Sequence, residues 1–502
     1  MIMFLAMPPK QSVGEVLGLL ARVSSLVLLA VLALWAMEWR WKIVSRFFDE
    51  RRTALDLSVF RIALMMAYVI SVDPTQVLRL AKLDPALIVP PVGWGPMANW
   101  FPRNVVLAEL VAVAFFVSIG LALIGLWTRI SVVVAVLAGF YLFTIPQLFG
   151  KINHSHDLVL FGLLLACSPS GDALSIDALL AKRRGRGVPA LVESRRYAAP
   201  LQAVMLLMGV TYFFPGAWKI SRLGLEWFRS THLQALVASK LSESLPTHFQ
   251  LWMLHQSALF SIGAFFTIVF ELGWIFLVIA RRTRPIAFAM GLGFHNMTNL
   301  MMNIPFWGLQ FCYVALVDWG RVLDFLSPQF RTARAAAQQW ANAIEDDWGS
   351  QSLGRAFLGL AGVMVVAMVL AGIGHVVNGW PLACYPTFDG PAETFQRKLL
   401  AFEGYTKEGS VLNETLSNDR VLLTNYHTEI WRGMTEAEGC PGRLDSEARA
   451  RALLGLWQGE HLQTDLASAT LYCDTYDRDL DPLHRTEHLQ IRTVKIQEMA
   501  AH

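Results

Sequence analysis

A helix that crosses the hydrocarbon core of a bilayer needs ~20 mostly apolar residues. This chain supplies such runs repeatedly, near residues 15–37, 55–73, 105–127, 130–148, 157–170, 198–218, 259–280, 285–300, 304–319 and 355–377. Nothing constrains the fold more. In lipid every backbone N–H and C=O must find its partner inside the protein, so runs of this kind become packed helices. Three or four of them are short or polar. Those are expected to be tilted, half-buried or paired as a re-entrant element. Composition agrees: 54% of the 502 residues are hydrophobic and 16% charged, with a mean hydropathy of +0.43. That is too little charge to cover a soluble protein of this size. A net charge of +3 is too small to argue for nucleic acid.

Orientation follows from the basic residues. The first run resembles a signal peptide in length, but no small-x-small cleavage site follows it. Arg40, Lys42, Arg46, Arg51 and Arg52 come next, a cluster that favours the cytoplasm. The run therefore reads as a retained helix. Alternation then places Arg129, the stretch Lys182–Arg196, Arg281–Arg284 and Arg321–Arg334 on the same side. These are the densest basic patches of the membrane region, so the span count and the positive-inside rule agree. The N-terminus, the loops 74–104 and 219–258, and the tail lie outside.

From about Trp380 charges become frequent and apolar runs shorten. "KLLAFEGY", "ATLYCDTY" and "EHLQIRTVKI" have strand composition. "SEARARALLGLWQGEHL" has helical spacing with Ser446 at the N-cap position. The fold class is an all-α polytopic membrane bundle of about nine to ten helices, with a small extracytoplasmic α+β domain at the C-terminus. Five cysteines without a CxxC exclude a zinc ribbon or a thioredoxin-like motif. Cys167 and Cys312 lie in apolar runs, whereas one disulfide can form among Cys384, Cys440 and Cys473.

Ionisable groups within such runs are costly and each needs a reason. Asp56 and Arg61, five apart, point to different helix faces, and snorkelling at the membrane edge is one account of them. Glu271, in "TIVFELGWIFLVIA", has no opposite charge within a helical turn, so it calls for a partner on another helix. Lys219 ends "TYFFPGAWK" among aromatics, after Pro215 and Gly216. It marks the membrane edge or is a lysine whose dry pocket makes it a base. His295 sits in "GLGFHNMTNLMMNIPFW" with Asn296, Thr298, Asn299 and Asn303, a polar face that suggests a cavity. The segment "KINHSHDLVLF" crowds Lys151, Asn153, His154, Ser155, His156 and Asp157 together. Its histidines, two apart, cannot share a helix face, and no HExxH or ExxH occurs, so no metal is expected. No GxSxG elbow supports a Ser–His–Asp hydrolase.

In order, "SVFRIAL", "NHSHDLVLFGLLLA", "SPSGDALSID", "FFPGAWKI" followed by "EW", and "FHNMTN" resemble the HTTM domain. This is the membrane domain of vitamin K-dependent γ-glutamyl carboxylase and its bacterial relatives. The resemblance covers roughly residues 52–320, and "WPLACYPTF" after the last helix is also typical of bacterial members. It implies four units: an extra N-terminal helix with a basic linker (1–51), the HTTM domain (52–320), a cytoplasmic loop with the last helix (321–378), and the tail (379–502).

The resemblance also implies chemistry. Lys219 corresponds to the base that deprotonates vitamin K hydroquinone, although Trp218 stands where the carboxylases have a second lysine. His154, after Asn153, and His295 correspond to the family's other two site residues. Asn153, with Glu271 and Asn296 from the reading of the apolar runs, supports them, while His156 and Asp157 fall at the rim. Oxygen would convert the deprotonated quinol into a strong base. That base removes a γ-proton from a glutamate, the carbanion captures carbon dioxide, and an epoxide leaves. Reduced vitamin K or menaquinol, oxygen and carbon dioxide are the implied cofactors. Membrane lipid, quinone and an extracytoplasmic protein or peptide substrate are the implied partners.

The large lumenal part of the animal enzymes has no counterpart of similar size here. The expectation is therefore a multi-pass inner-membrane, quinone- or lipid-linked enzyme with its site near the outer face; carboxylase/epoxidase-type chemistry is one form it can take, and a full protein γ-carboxylase is not the favoured one. The rival is a non-enzymatic scaffold or a transporter with a polar cavity.

Overall fold

The computed structural model describes residues 12–95, 97–150, 155–241, 247–340, 352–384, 388–390, 397–426, 428–435, 446–476 and 485–495. Among these, seven helices are long and apolar enough to cross a membrane. They are Val13–Trp41, Ala54–Ser71, Val105–Ile124, Thr128–Gln147, Arg195–Phe228, Ser257–Ile279 and Gly354–Ile373. Three of the ten expected runs fold otherwise. The stretch 157–170 gives the 11-residue helix His156–Ala166, only about half the length a span needs. The stretch 304–319 breaks into Trp307–Cys312 and the 3-10 turn Tyr313–Leu316. The stretch 285–300 does form a helix, Arg284–Met302, but His295, Asn296 and Asn299 dilute its apolar character.

The helix Arg195–Leu223 is the axis of the bundle, with nearly all of its apolar window inside the protein. Ser194 caps it by accepting from Arg196 N–H. Two glycines on one of its faces let the helix Ser257–Ile279 come close. A Cβ on Gly209 would lie 2.8 Å from Ile275, and one on Gly216 would lie 2.9 Å from the Cβ of Glu271. Small residues of this kind set interhelical distance where lipid offers no hydrophobic drive. The first helix, Val13–Trp41, is by contrast almost wholly exposed on the flank of the bundle.

One end of the bundle gathers the basic segments. β1 (Arg52–Thr53) pairs antiparallel with β2 (Glu193–Ser194). Glu50 accepts from Arg52 Nε at 2.8 Å and from Arg284 Nη1 and Nη2 at 2.8 and 2.6 Å. Arg281 pairs with Asp318, and Arg334 with Glu193. Asp56 and Arg61 do not snorkel, because both are fully buried. Asp56 forms a capping box with Thr53 and accepts from Trp319 N–H at 2.6 Å. Arg61 donates to the carbonyls of Ser170 and Leu174 at 2.5 and 2.6 Å. These carbonyls belong to the loop between the helices His156–Ala166 and Ile176–Arg183, and they replace water as partners of the two terminal nitrogens.

The tail docks on the opposite end. Its antiparallel sheet has the order β4-β3-β5-β6, with β3 Arg397–Thr406, β4 Val411–Glu414, β5 Leu466–Tyr476 and β6 Arg485–Lys495. The three expected strands are β3, β5 and β6. The expected helix is Glu447–Glu460, although Ser446 makes no side-chain cap bond. Trp431 and Trp457 anchor the core beneath the sheet. Gln76 Nε2 reaches the Tyr426 carbonyl at 3.0 Å, and Arg449 Nη1 reaches that of Ala86 at 3.2 Å, tying tail to bundle. Cys473 is disulfide-bonded, whereas Cys384 is buried with a free thiol. Cys440 lies outside the described residues.

Candidate functional site

Lys219 lies two helical turns beyond Tyr212, so both side chains share one face of the axial helix. That face looks across to Glu271, brought close by Gly216. Lys219 Nζ stands 2.5 Å from Glu271 Oε1, and both side chains are buried. The expected partner of Glu271 on another helix is thus Lys219. The expected dry lysine pocket therefore contains a carboxylate as well. The Trp227 indole lies under the ammonium, with Nζ 5.1 Å from the ring centroid, and Trp227 Nε1 donates to the Ala264 carbonyl at 3.2 Å. The His232 ring packs tilted against the same indole, with centroids 4.9 Å apart. Burial, and then the Lys219 charge, hold its imidazole below the ordinary histidine range.

His295 closes the other side. Its Nε2 is 2.9 Å from Tyr212 Oη, which is 2.7 Å from Tyr313 Oη. Gly291 makes room for this chain, since a Cβ there would lie 2.6 Å from the Tyr313 ring. One residue before Tyr212, Thr211 Oγ1 donates to Asp157 Oδ1 at 3.0 Å. Sequence reading did not single out Tyr212, Tyr313 or Thr211. The available signal was two hydroxyl residues, Thr211 and Tyr212, about two turns ahead of Lys219 in a largely apolar stretch of helix.

Lys219, Glu271, His295, Tyr212 and Thr211 line one cavity of about 90 Å³. It shares Leu233, Thr267, Phe294, Thr298 and Met302 with an apolar cavity of about 450 Å³. Exposed Leu259, Ile262, Phe266 and Met297 also line the larger space, so it opens on the flank between the helices Ser257–Ile279 and Arg284–Met302. Asn296 is not at this cavity. It is exposed on the other face of its helix and donates to the Leu292 carbonyl and to Gln310 Oε1 at 2.8 and 3.2 Å. Asn153 and His154 lie outside the described residues. His156 and Asp157 are not rim residues, since both are buried at the start of a short helix covered by the bundle. Among the described residues no three His, Cys, Asp or Glu side chains are grouped to hold a metal ion.

The HTTM domain family matches residues 51–320, more than half of the chain. The chain belongs to the HTTM domain family. With its apolar helices, it is a membrane protein of that family. No curated protein and no solved structure matches it. The matched stretch of this HTTM protein contains the Lys219–Glu271 pair, His295 and both tyrosines, whereas the tail lies beyond it.

Proposed function

We propose that this HTTM protein is a quinol-linked enzyme of the bacterial inner membrane, a lyase of the carboxylase/epoxidase class, with Lys219 as its base. One observation carries this: Lys219, Glu271 and His295 meet on a cavity that continues into apolar space open to the membrane flank. A quinol offers two hydroxyls on a flat apolar ring. The cavity offers polar atoms on one wall and aromatic or aliphatic surface elsewhere, which is the donor set such a molecule requires. When bound, a reduced vitamin K or menaquinol with oxygen and carbon dioxide supplies the redox and carboxylating chemistry.

The chain's own residues handle protons. Glu271 takes up the proton that Lys219 gives up, and Lys219 Nζ then accepts one from a ligand hydroxyl. The ammonium so formed remains beside the anion it has made, stabilised in a water-poor pocket. Tyr212 links His295 to Tyr313 and can hold or pass a second proton along that chain. Trp227 screens Lys219 from the side.

The inner-membrane orientation, with tail and N-terminus extracytoplasmic, is supported by the basic segments at one end and the tail at the other. The disulfide at Cys473 suits an oxidising compartment. The deciding experiment supplies purified protein with reduced vitamin K or menaquinol and oxygen. Epoxide that forms with the wild type and disappears in Lys219→Ala is expected. A well-folded protein that yields no product with either quinol overturns the proposal.

A further inference from the structure

At the end of the bundle where the basic segments gather lies a cavity of about 300 Å³, at the lower end of the range for small-molecule sites. Its walls come from the start of the helix Thr128–Gln147, the loop that follows the helix His156–Ala166, and Arg196 at the start of the axial helix. A Cβ on Gly171 would lie 2.8 Å from Thr128 Oγ1, so the loop packs directly on the helix start. Buried Val132 and Leu165 make one side of the cavity apolar.

Among the described residues, the charged side chains that line it are Arg129, Arg196, Asp172 and Asp177, two of each sign. Asp177 is committed to the helix start: it accepts from the N–H groups of Trp127 and Thr128 at 3.0 and 2.7 Å and from Thr128 Oγ1 at 2.8 Å. Arg196 Nη2 donates to Asp172 Oδ2 at 3.2 Å, and Tyr197 Oη donates to the same oxygen at 2.8 Å. Three groups are left over. The Arg129 guanidinium, Asp172 Oδ1 and the hydroxyl of buried Ser170 have no hydrogen-bond partner among the described residues.

The surroundings are those of a bilayer edge. Trp127 and Ile130, close on either side of Arg129 in the chain, are exposed, and so is Leu174 of the loop. Exposed Trp beside Arg at the end of an apolar helix is the pattern of the headgroup level. A lipid that enters here brings its polar end to the cavity and leaves its chains in the membrane.

We infer that this cavity holds the headgroup of a phospholipid bearing a primary amine, with its phosphate on Arg129 and Ser170 and its ammonium on Asp172 Oδ1. The balance of charge selects the class. A purely anionic headgroup gains one open guanidinium but faces two carboxylates. A zwitterion answers both the open cation and the open carboxylate oxygen. A trimethylated amine keeps the charge but has no N–H to donate to Oδ1. This site is separate from the cavity of Lys219 and does not depend on the quinol reading.

Native mass spectrometry of the full chain, stripped of lipid in detergent, tests this. Phosphatidylethanolamine, phosphatidylcholine and phosphatidylglycerol with identical chains compete for it in equal amounts. The ethanolamine lipid should be retained over each of the others by about fivefold, the scale of one exposed ion pair. Arg129→Gln, which removes an exposed side chain without a partner, should lower its retention by a similar factor. Asp172→Asn, which keeps an acceptor for Tyr197, should erase the preference among the three lipids. If Asp172→Asn fails to fold, monomethyl and dimethyl ethanolamine lipids replace it, and retention should fall with each methyl. Glycerophosphoethanolamine, the headgroup without chains, should displace nothing at equal concentration. Equal retention of the three lipids by the wild type, unchanged retention in Arg129→Gln, a preference that survives in Asp172→Asn, or retention indifferent to methylation overturns the inference. Displacement by the chainless headgroup assigns the site to a soluble phosphoamine and overturns the membrane source.

Discussion

Lys219 and Glu271 are 52 residues apart in the chain, yet Nζ and Oε1 meet at 2.5 Å inside the bundle. Neither group has water to fall back on. Removing one partner strands a charge or a strong hydrogen-bonding group, whereas removing both does not.

Glu271→Ala should therefore destabilise the protein by about 3–5 kcal/mol, whereas the double variant Lys219→Met/Glu271→Leu should recover most of that loss. Thermal unfolding in detergent, followed by tryptophan fluorescence, measures both. Equal stability of the single and double variants would show that the pair is not buried.

Gly216 faces the Cβ of Glu271 where the two helices come close. Gly216→Val should cost about 1–3 kcal/mol through overpacking, and it should also disturb Lys219. The check is twofold: a lower melting temperature, together with loss of epoxide formation. A variant as stable and active as the wild type would mean that the two helices do not meet at this glycine.

Tyr212→Phe removes the hydroxyl between His295 and Tyr313 but keeps the ring. The buried groups left behind should cost about 1–3 kcal/mol. Epoxide formation should slow on the order of tenfold or more, with little change in KM for quinol. A change in KM alone would assign Tyr212 to binding rather than to proton handling.

Glu50 makes a pH prediction. Burial works to raise its carboxyl, but the hydrogen bond from Arg284 and the charges of Arg52, Arg284 and Arg281 outweigh that and hold it below the ordinary 4.5. A depressed folded-state value means that the stabilisation is complete above 4.5 and fades as pH falls through the folded value. Melting temperature should thus drop on acidification in this range, with a shallower drop in Glu50→Gln. Parallel profiles for the two proteins would exclude Glu50 as the source.

Sidedness has its own reporter test. Alkaline phosphatase fused after His502 should be active, and the same enzyme fused within the segment Pro328–Ala337 should be silent. The reverse pattern would invert the proposed orientation.

The sequence by itself determined the membrane bundle, the HTTM resemblance and the tail's strands, because length, hydropathy and strand composition are local properties. It also singled out Lys219, Glu271 and His295, since a polar group in an apolar run is conspicuous wherever it sits. Tertiary structure decided their partners. Glu271 answers Lys219 only because Gly209 and Gly216 let two helices close on each other. Tyr313 joins Tyr212 only because the 304–319 run breaks instead of spanning. Asp56 and Arg61 looked like edge charges, because the backbone groups that satisfy them belong to Trp319, Ser170 and Leu174, far along the chain. Helix contacts and loop carbonyls leave no local period, so only the folded bundle reveals which polar groups meet.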